Sequence, residues 1–175
     1  MQLAALRSIE TNPAKLPHLY LEQFRLSAVK AGETIAIVSD LGTRREYIEA
    51  AFAAAETLGA DIYEMCVNSL PGWTRVGVPT IGQCKGTLEA VSKADLIVIF
   101  HVPLFSRWLK TVTDGGTRVL MIIDAPDQLA QLMSPPGLKE ACKHAESLYR
   151  ATKSVRVTSE AGTELSWNCG DYPVM

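Results

Sequence analysis

Apolar residues recur along this chain with two different periods. Leu16, Tyr20 and Phe24 stand four apart, which predicts a helix from about Lys15 to Lys30, stopped by Gly32. Thr34–Val38 is then an apolar run of strand length, ending at Ser39 and Asp40. Thr43 is placed to cap the next helix, and Glu46, three residues on, completes the capping-box spacing. Ile48, Ala51, Phe52, Ala55 and Leu58 keep helical spacing up to Gly59, and the alanines among them suit close approach to a sheet. Asp61–Val67 reads as a second strand.

Residues 68–84 hold Pro71, Gly72, Gly77, Pro79 and Gly82, and read as a long loop. A short helix over Thr87–Lys93 follows, then a strand at Leu96–Phe100, a helix at Leu104–Val112 and a strand at Val119–Ile123. Asp127–Met133 reads as a helix entered through Pro126. Another helix begins at Ser134-Pro135-Pro136, with Leu138, Ala141, Ala145, Leu148 and Tyr149 on one face. Val155–Ser159 and Thr163–Asn168 alternate around a Glu-Ala-Gly turn, as a β-hairpin does.

Continuous apolar strands interleaved with helices mark parallel strands covered on both sides. The expected fold is therefore α/β: an open, mainly parallel sheet with helices on both faces and right-handed crossovers, followed by a C-terminal β-hairpin. The expected division is an α/β domain over 1–153 and a hairpin over 154–175.

Composition narrows the function. Hydrophobic residues make up 47% of 175, enough for a real core, and a net charge of −2 argues against nucleic acid as a partner. The four cysteines are scattered, without metal or disulfide spacing, which fits a reducing cytoplasm. No apolar stretch approaches the roughly 20 residues of a membrane span, and residues 1–10 do not read as a signal peptide.

Ligands of open α/β sheets bind beyond the carboxyl ends of the strands. Asp40, His101 and Asp124 fall there, and a histidine flanked by carboxylates suits acid–base work. Both aspartates also make good turn or cap residues. Residues 39–43 (SDLGT) form a strand-to-helix loop that either receives an anion or merely starts a capped helix. It is neither a Walker loop nor G-x-G-x-x-G, and no G-x-S-x-G elbow is present. His101 stands where a receiver domain needs an aspartate. His18 and His144 read as solvated helix residues, Trp108 as a packing residue and Trp73 as an interface residue in the long loop. Three histidines without H-E-x-x-H spacing leave little room for a self-contained metal centre.

Lys30–Asp40 (KAGETIAIVSD), Leu58–Tyr63 (LGADIY), Lys93–Val98 (KADLIV), Gly116–Arg118 (GTR) and Ala161–Leu165 (AGTEL) occur in that order. Together they resemble the N-terminal domain of the 2,5-dihydroxypyridine 5,6-dioxygenase family, itself similar to metallo-aminopeptidases of the aminopeptidase T type. The resemblance runs from about Leu16 onward. It implies a two-domain enzyme whose C-terminal domain carries the metal: Fe(II) on two histidines and a carboxylate in the dioxygenases, a pair of divalent metals in the peptidases. On that reading the metal ligands lie outside this chain, which binds no cofactor and is inactive alone. The family's acid–base histidine falls at Phe105, with His101 four residues earlier. If the segment is helical, the two share a face and His101 stands in; otherwise His101 sits at the strand end.

The resemblance makes the chain the N-terminal fragment of a non-haem Fe(II) dioxygenase-like enzyme that opens hydroxylated pyridine rings. His101 is the candidate catalytic residue, and Leu104, Phe105 and Asp40 are candidate substrate-binding residues. The expected partners are a small-molecule substrate, the C-terminal domain and further copies in a homo-oligomer. The rivals are an aminopeptidase N-terminal domain and a non-catalytic small-molecule-binding or interaction domain.

Overall fold

The computed structural model describes residues 15–68, 81–132 and 137–170. Helix α1 spans Leu16–Leu26, strand β1 Thr34–Asp40, helix α2 Arg45–Leu58 and strand β2 Asp61–Val67. Helix α3 (Thr87–Ser92), strand β3 (Leu96–Ile99), helix α4 (Arg107–Asp114), strand β4 (Arg118–Met121) and helix α5 (Pro126–Gln131) follow. Helix α6 (Leu138–Ala151) and strands β5 (Ser154–Thr158) and β6 (Glu164–Asn168) complete the described chain.

The first four strands form one parallel sheet in the order β2-β1-β3-β4. Alternate residues feed opposite faces. Ile35, Ile37, Leu96 and Val98 pack with α1, α2 and α5. Ala36, Val38, Ile97 and Ile99 pack with Val91 of α3 and with Trp108 and Val112 of α4. The central strands β1 and β3 are thus covered twice, which is why their sequences are unbroken apolar runs. Alanines 50, 51, 54 and 55 are buried and bring α2 close to the sheet.

Helix ends depart from the expected ones for identifiable reasons. Helix α1 stops at Leu26, not Lys30, because Ala28 turns left-handed at φ 57°. The Val29 N–H closes back on the Phe24 carbonyl at 3.0 Å, and Arg118 donates to the Ser27 and Ala28 carbonyls. The expected capping box is absent: Arg44 is the N-cap of α2, without a side-chain cap. Thr43 instead exchanges hydrogen bonds with Asp40. Helix α4 starts at Arg107 rather than Leu104, since Phe105 sits at φ 63° and the Ser106 N–H turns back to the Pro103 carbonyl. Gly59 closes α2 in the left-handed region, as its sequence position suggests.

The chain divides into two compact units, residues 1–133 and 134–175. Helix α6 therefore groups with the hairpin, whereas the sequence reading placed it with the sheet. Strands β5 and β6 pair antiparallel, with Val155 opposite Trp167 and Val157 opposite Leu165, so one hairpin face is apolar. The expected loop at 68–84, with Trp73, and the helix start at Ser134–Pro136 lie largely outside the described residues. Among the described residues no helix is long and apolar enough to cross a membrane.

Candidate functional site

Chain direction diverges between β1 and β3: the connection from β1 leads to β2 on one side, that from β3 to β4 on the other. Loops leaving such neighbours separate and open a crevice at the carboxyl edge. A cavity of about 700 Å³ lies there, lined by residues following β1, β3 and β4. Asp40, His101 and Asp124 all line it, as the strand-end rule suggests.

His101 forms the crevice's buried part, at 7% exposure. Burial lowers its pKa to about 4, against the opposing pull of the Asp40 carboxylate, so the imidazole is neutral at pH 7. Asp40 is held rigidly. Its Oδ1 accepts the Gly42 N–H and the Thr43 hydroxyl, each at 2.9 Å. The 39–43 loop is therefore not an open anion cradle: its Gly42 amide already serves the protein's own carboxylate. One residue back, the Ser39 hydroxyl donates to Glu64, which also pairs with Arg45 at 2.7 Å. Burial disfavours the Glu64 charge, but these two hydrogen bonds prevail and lower its pKa. They tie the end of β1 and the middle of β2 to the start of α2.

The crevice wall is aromatic. The rings of Tyr47 and Phe100 lie 5.9 Å apart, and Tyr20 backs Tyr47 at 6.3 Å. The Tyr47 hydroxyl donates to the Asp124 carbonyl at 3.2 Å, joining α2 to the segment after β4. The Arg44 guanidinium lies over the same ring, 6.0 Å from its centre, and faces Glu46 at 3.8 Å. Arg44, Tyr47 and Phe100 were missed in the sequence. The signal was present: they follow β1 and β3 as Asp40 and His101 do, and Tyr47 is one turn into α2.

Leu104 and Phe105 do not line this crevice. They border a second hollow of about 590 Å³ with Leu109, Val119 and Met121. Phe100 and Ile122 of the crevice pack with the α1/α2 core, whereas Leu109 and Val119 pack with the α3/α4 core. The two hollows thus belong to opposite faces of the sheet. Residues 101–106 are not helical, so His101 and Phe105 share no helix face, and Phe105 is 89% exposed. His18 and His144 are exposed, and Trp108 is buried in the core. Among the described residues no group of three or more His, Cys, Asp or Glu is placed to hold a metal ion. The donor set described here does not fit Fe(II).

A parallel sheet wrapped on both faces, with a mixed polar and aromatic crevice where the chain changes direction, defines an open α/β unit whose candidate site lies at the carboxyl edge of its sheet. The chain belongs to the NicX 2,5-dihydroxypyridine 5,6-dioxygenase family, whose model matches residues 15–175. It is 26% identical over 174 residues to the 2,5-dihydroxypyridine 5,6-dioxygenase of Pseudomonas putida KT2440, covering 93% of this chain and 49% of that protein. The solved structure of 2,5-dihydroxypyridine dioxygenase from the same organism superposes with a TM-score of 0.74 at 24% identity, with the same coverage, and shows the fold. The chain spans about half the length of the curated relative it matches.

Proposed function

We propose that this chain is the N-terminal α/β portion of a ring-cleaving dioxygenase-like enzyme that acts on hydroxylated N-heteroaromatic rings. The observation that carries this reading is the crevice: a buried neutral histidine beside a fixed carboxylate, in a cavity walled by two aromatic rings, in a chain of this family. The ring lies against Tyr47 and Phe100. Neutral His101 exchanges a hydrogen bond with a ring hydroxyl and takes its proton transiently, with Asp40 favouring the imidazolium that forms. A pKa of about 4 makes His101 a transient proton carrier rather than a resting base.

Leu104 and Phe105 form a separate apolar surface, which a substrate meets only on the other face of the sheet. Fe(II), in such an enzyme, would take its ligands from residues other than those described here. Further copies of the chain and the remaining half of the enzyme complete the assembly.

Calorimetric titration of the full chain with 2,5-dihydroxypyridine tests the reading. One saturable site per chain is expected, weakened at least about tenfold by His101→Ala, the loss of a hydrogen bond to a buried partner. No saturable binding would contradict it. Stoichiometric iron and turnover by these 175 residues alone would contradict the division of labour.

A further inference from the structure

The charge balance of the crevice says more about its ligand than its shape does. Two carboxylates, Asp40 and Asp124, line it against one guanidinium, Arg44. Arg44 is partly spoken for: it faces Glu46 at 3.8 Å and covers the Tyr47 ring. His101 is buried and adds no charge. Asp40 gives its Oδ1 to Gly42 and Thr43, both uncharged donors, so its negative charge has no cationic partner among those bonds. The Phe100 ring, which lines the same crevice, presents a π-system that also attracts positive charge.

An incoming acid therefore meets a crevice whose carboxylates outnumber its cations. A ligand with a positive or hydrogen-donating edge meets acceptors and ring faces. We infer that the crevice selects N-heteroaromatic ligands bearing an amino, ring N–H or protonated-ring edge, and rejects carboxylates of the same ring. This rests on the functional reading above and deepens it, since it names which members of that ligand class the site accepts. The selecting groups are Asp40 and Asp124. Arg44 limits the preference without reversing it.

Three probes that share the 5-hydroxypyridine ring and differ at its 2-position test the inference on the full chain at about pH 6: 2-amino-5-hydroxypyridine, 2,5-dihydroxypyridine and 5-hydroxypyridine-2-carboxylate, with affinities from calorimetry. The amino ring is expected to bind at least about fivefold tighter than the carboxylate, the effect of one ligand charge near one uncompensated carboxylate in a solvent-open crevice. The preference should shrink as salt is raised from about 0.05 to 0.5 M, where screening shortens to a few ångströms. Asp124→Asn and Asp40→Asn should each reduce it; an asparagine Oδ1 still accepts from Gly42 and Thr43, so the Asp40 turn survives. Unchanged thermal melting checks that both variants fold. Equal affinities, or a tighter carboxylate, would overturn the inference while leaving N-heteroaromatic binding in place. If none of the three binds, the functional reading itself fails.

Discussion

Burial and a neighbouring carboxylate pull the His101 imidazole in opposite directions, and burial wins. The sign of the consequence is definite. Its pKa is near the ordinary 6.5 when unfolded and about 4 when folded, so below pH 6.5 the unfolded chain binds the proton more readily. Stability from this residue is complete above pH 6.5 and declines as pH falls towards 4, by roughly 3 kcal/mol on the scale of the shift. Urea denaturation of wild type and His101→Gln between pH 4 and 7 checks this. The wild type should lose stability more steeply across that window; parallel profiles would contradict it. At this scale Asp40, His101 and Asp124 were legible because strand ends are legible. Arg44 and Tyr47, which follow β1 just as Asp40 does, are masked by the capping-box spacing from Thr43 to Glu46. The Thr43 hydroxyl binds Asp40 instead, which leaves Arg44 as the N-cap and turns the first residues of α2 into crevice wall.

Strands were easier to read than helix ends, and the reason lies in backbone conformation. β1 and β3 announce themselves because both faces are buried. α1 and α4 have ends set by Ala28 and Phe105 in the left-handed region, and neither residue type signals that conformation. Arg118 shows how a distant residue decides the first: it clamps the Ser27 and Ala28 carbonyls and pairs with Glu33. Burial is the largest single effect and works against the Glu33 charge, but the Arg118 and Lys30 contacts together outweigh it and lower its pKa. Ala28→Gly should relieve left-handed strain of about 1–2 kcal/mol, offset by glycine's extra unfolded entropy, for a net gain of roughly 0.5–1 kcal/mol. Gly59→Ala should act oppositely, costing about 1–2 kcal/mol, because φ there is 69°. Denaturant midpoints of the two variants should shift in opposite directions; a shift in the same direction would show that the left-handed turns do not govern these helix ends.

Over the whole chain, the sheet with its two-sided core and the α6–hairpin unit are separate compact bodies. The sequence signalled both, yet not the place of α6: an amphipathic pattern shows that a helix buries one face, not against what. A chain ending at Met133 should retain the cooperative denaturation of the sheet unit; loss of that transition would show that the sheet depends on residues 134–175. The family relation was legible because its matching segments are strands and turns that the fold itself requires. The split of the candidate residues between two hollows was not, because a left-handed Phe105 ends the shared-face geometry that a helix through 101–105 would have given. The account's central claim is that the crevice of Asp40, His101 and Asp124 is where the ring binds. Backbone amide chemical shifts of the full chain, followed during titration with 2,5-dihydroxypyridine, test it most directly. The account predicts saturable shifts at residues 40–47, 100–101 and 122–128. Shifts confined to 104–106 and 119–121, or none at all, would contradict it.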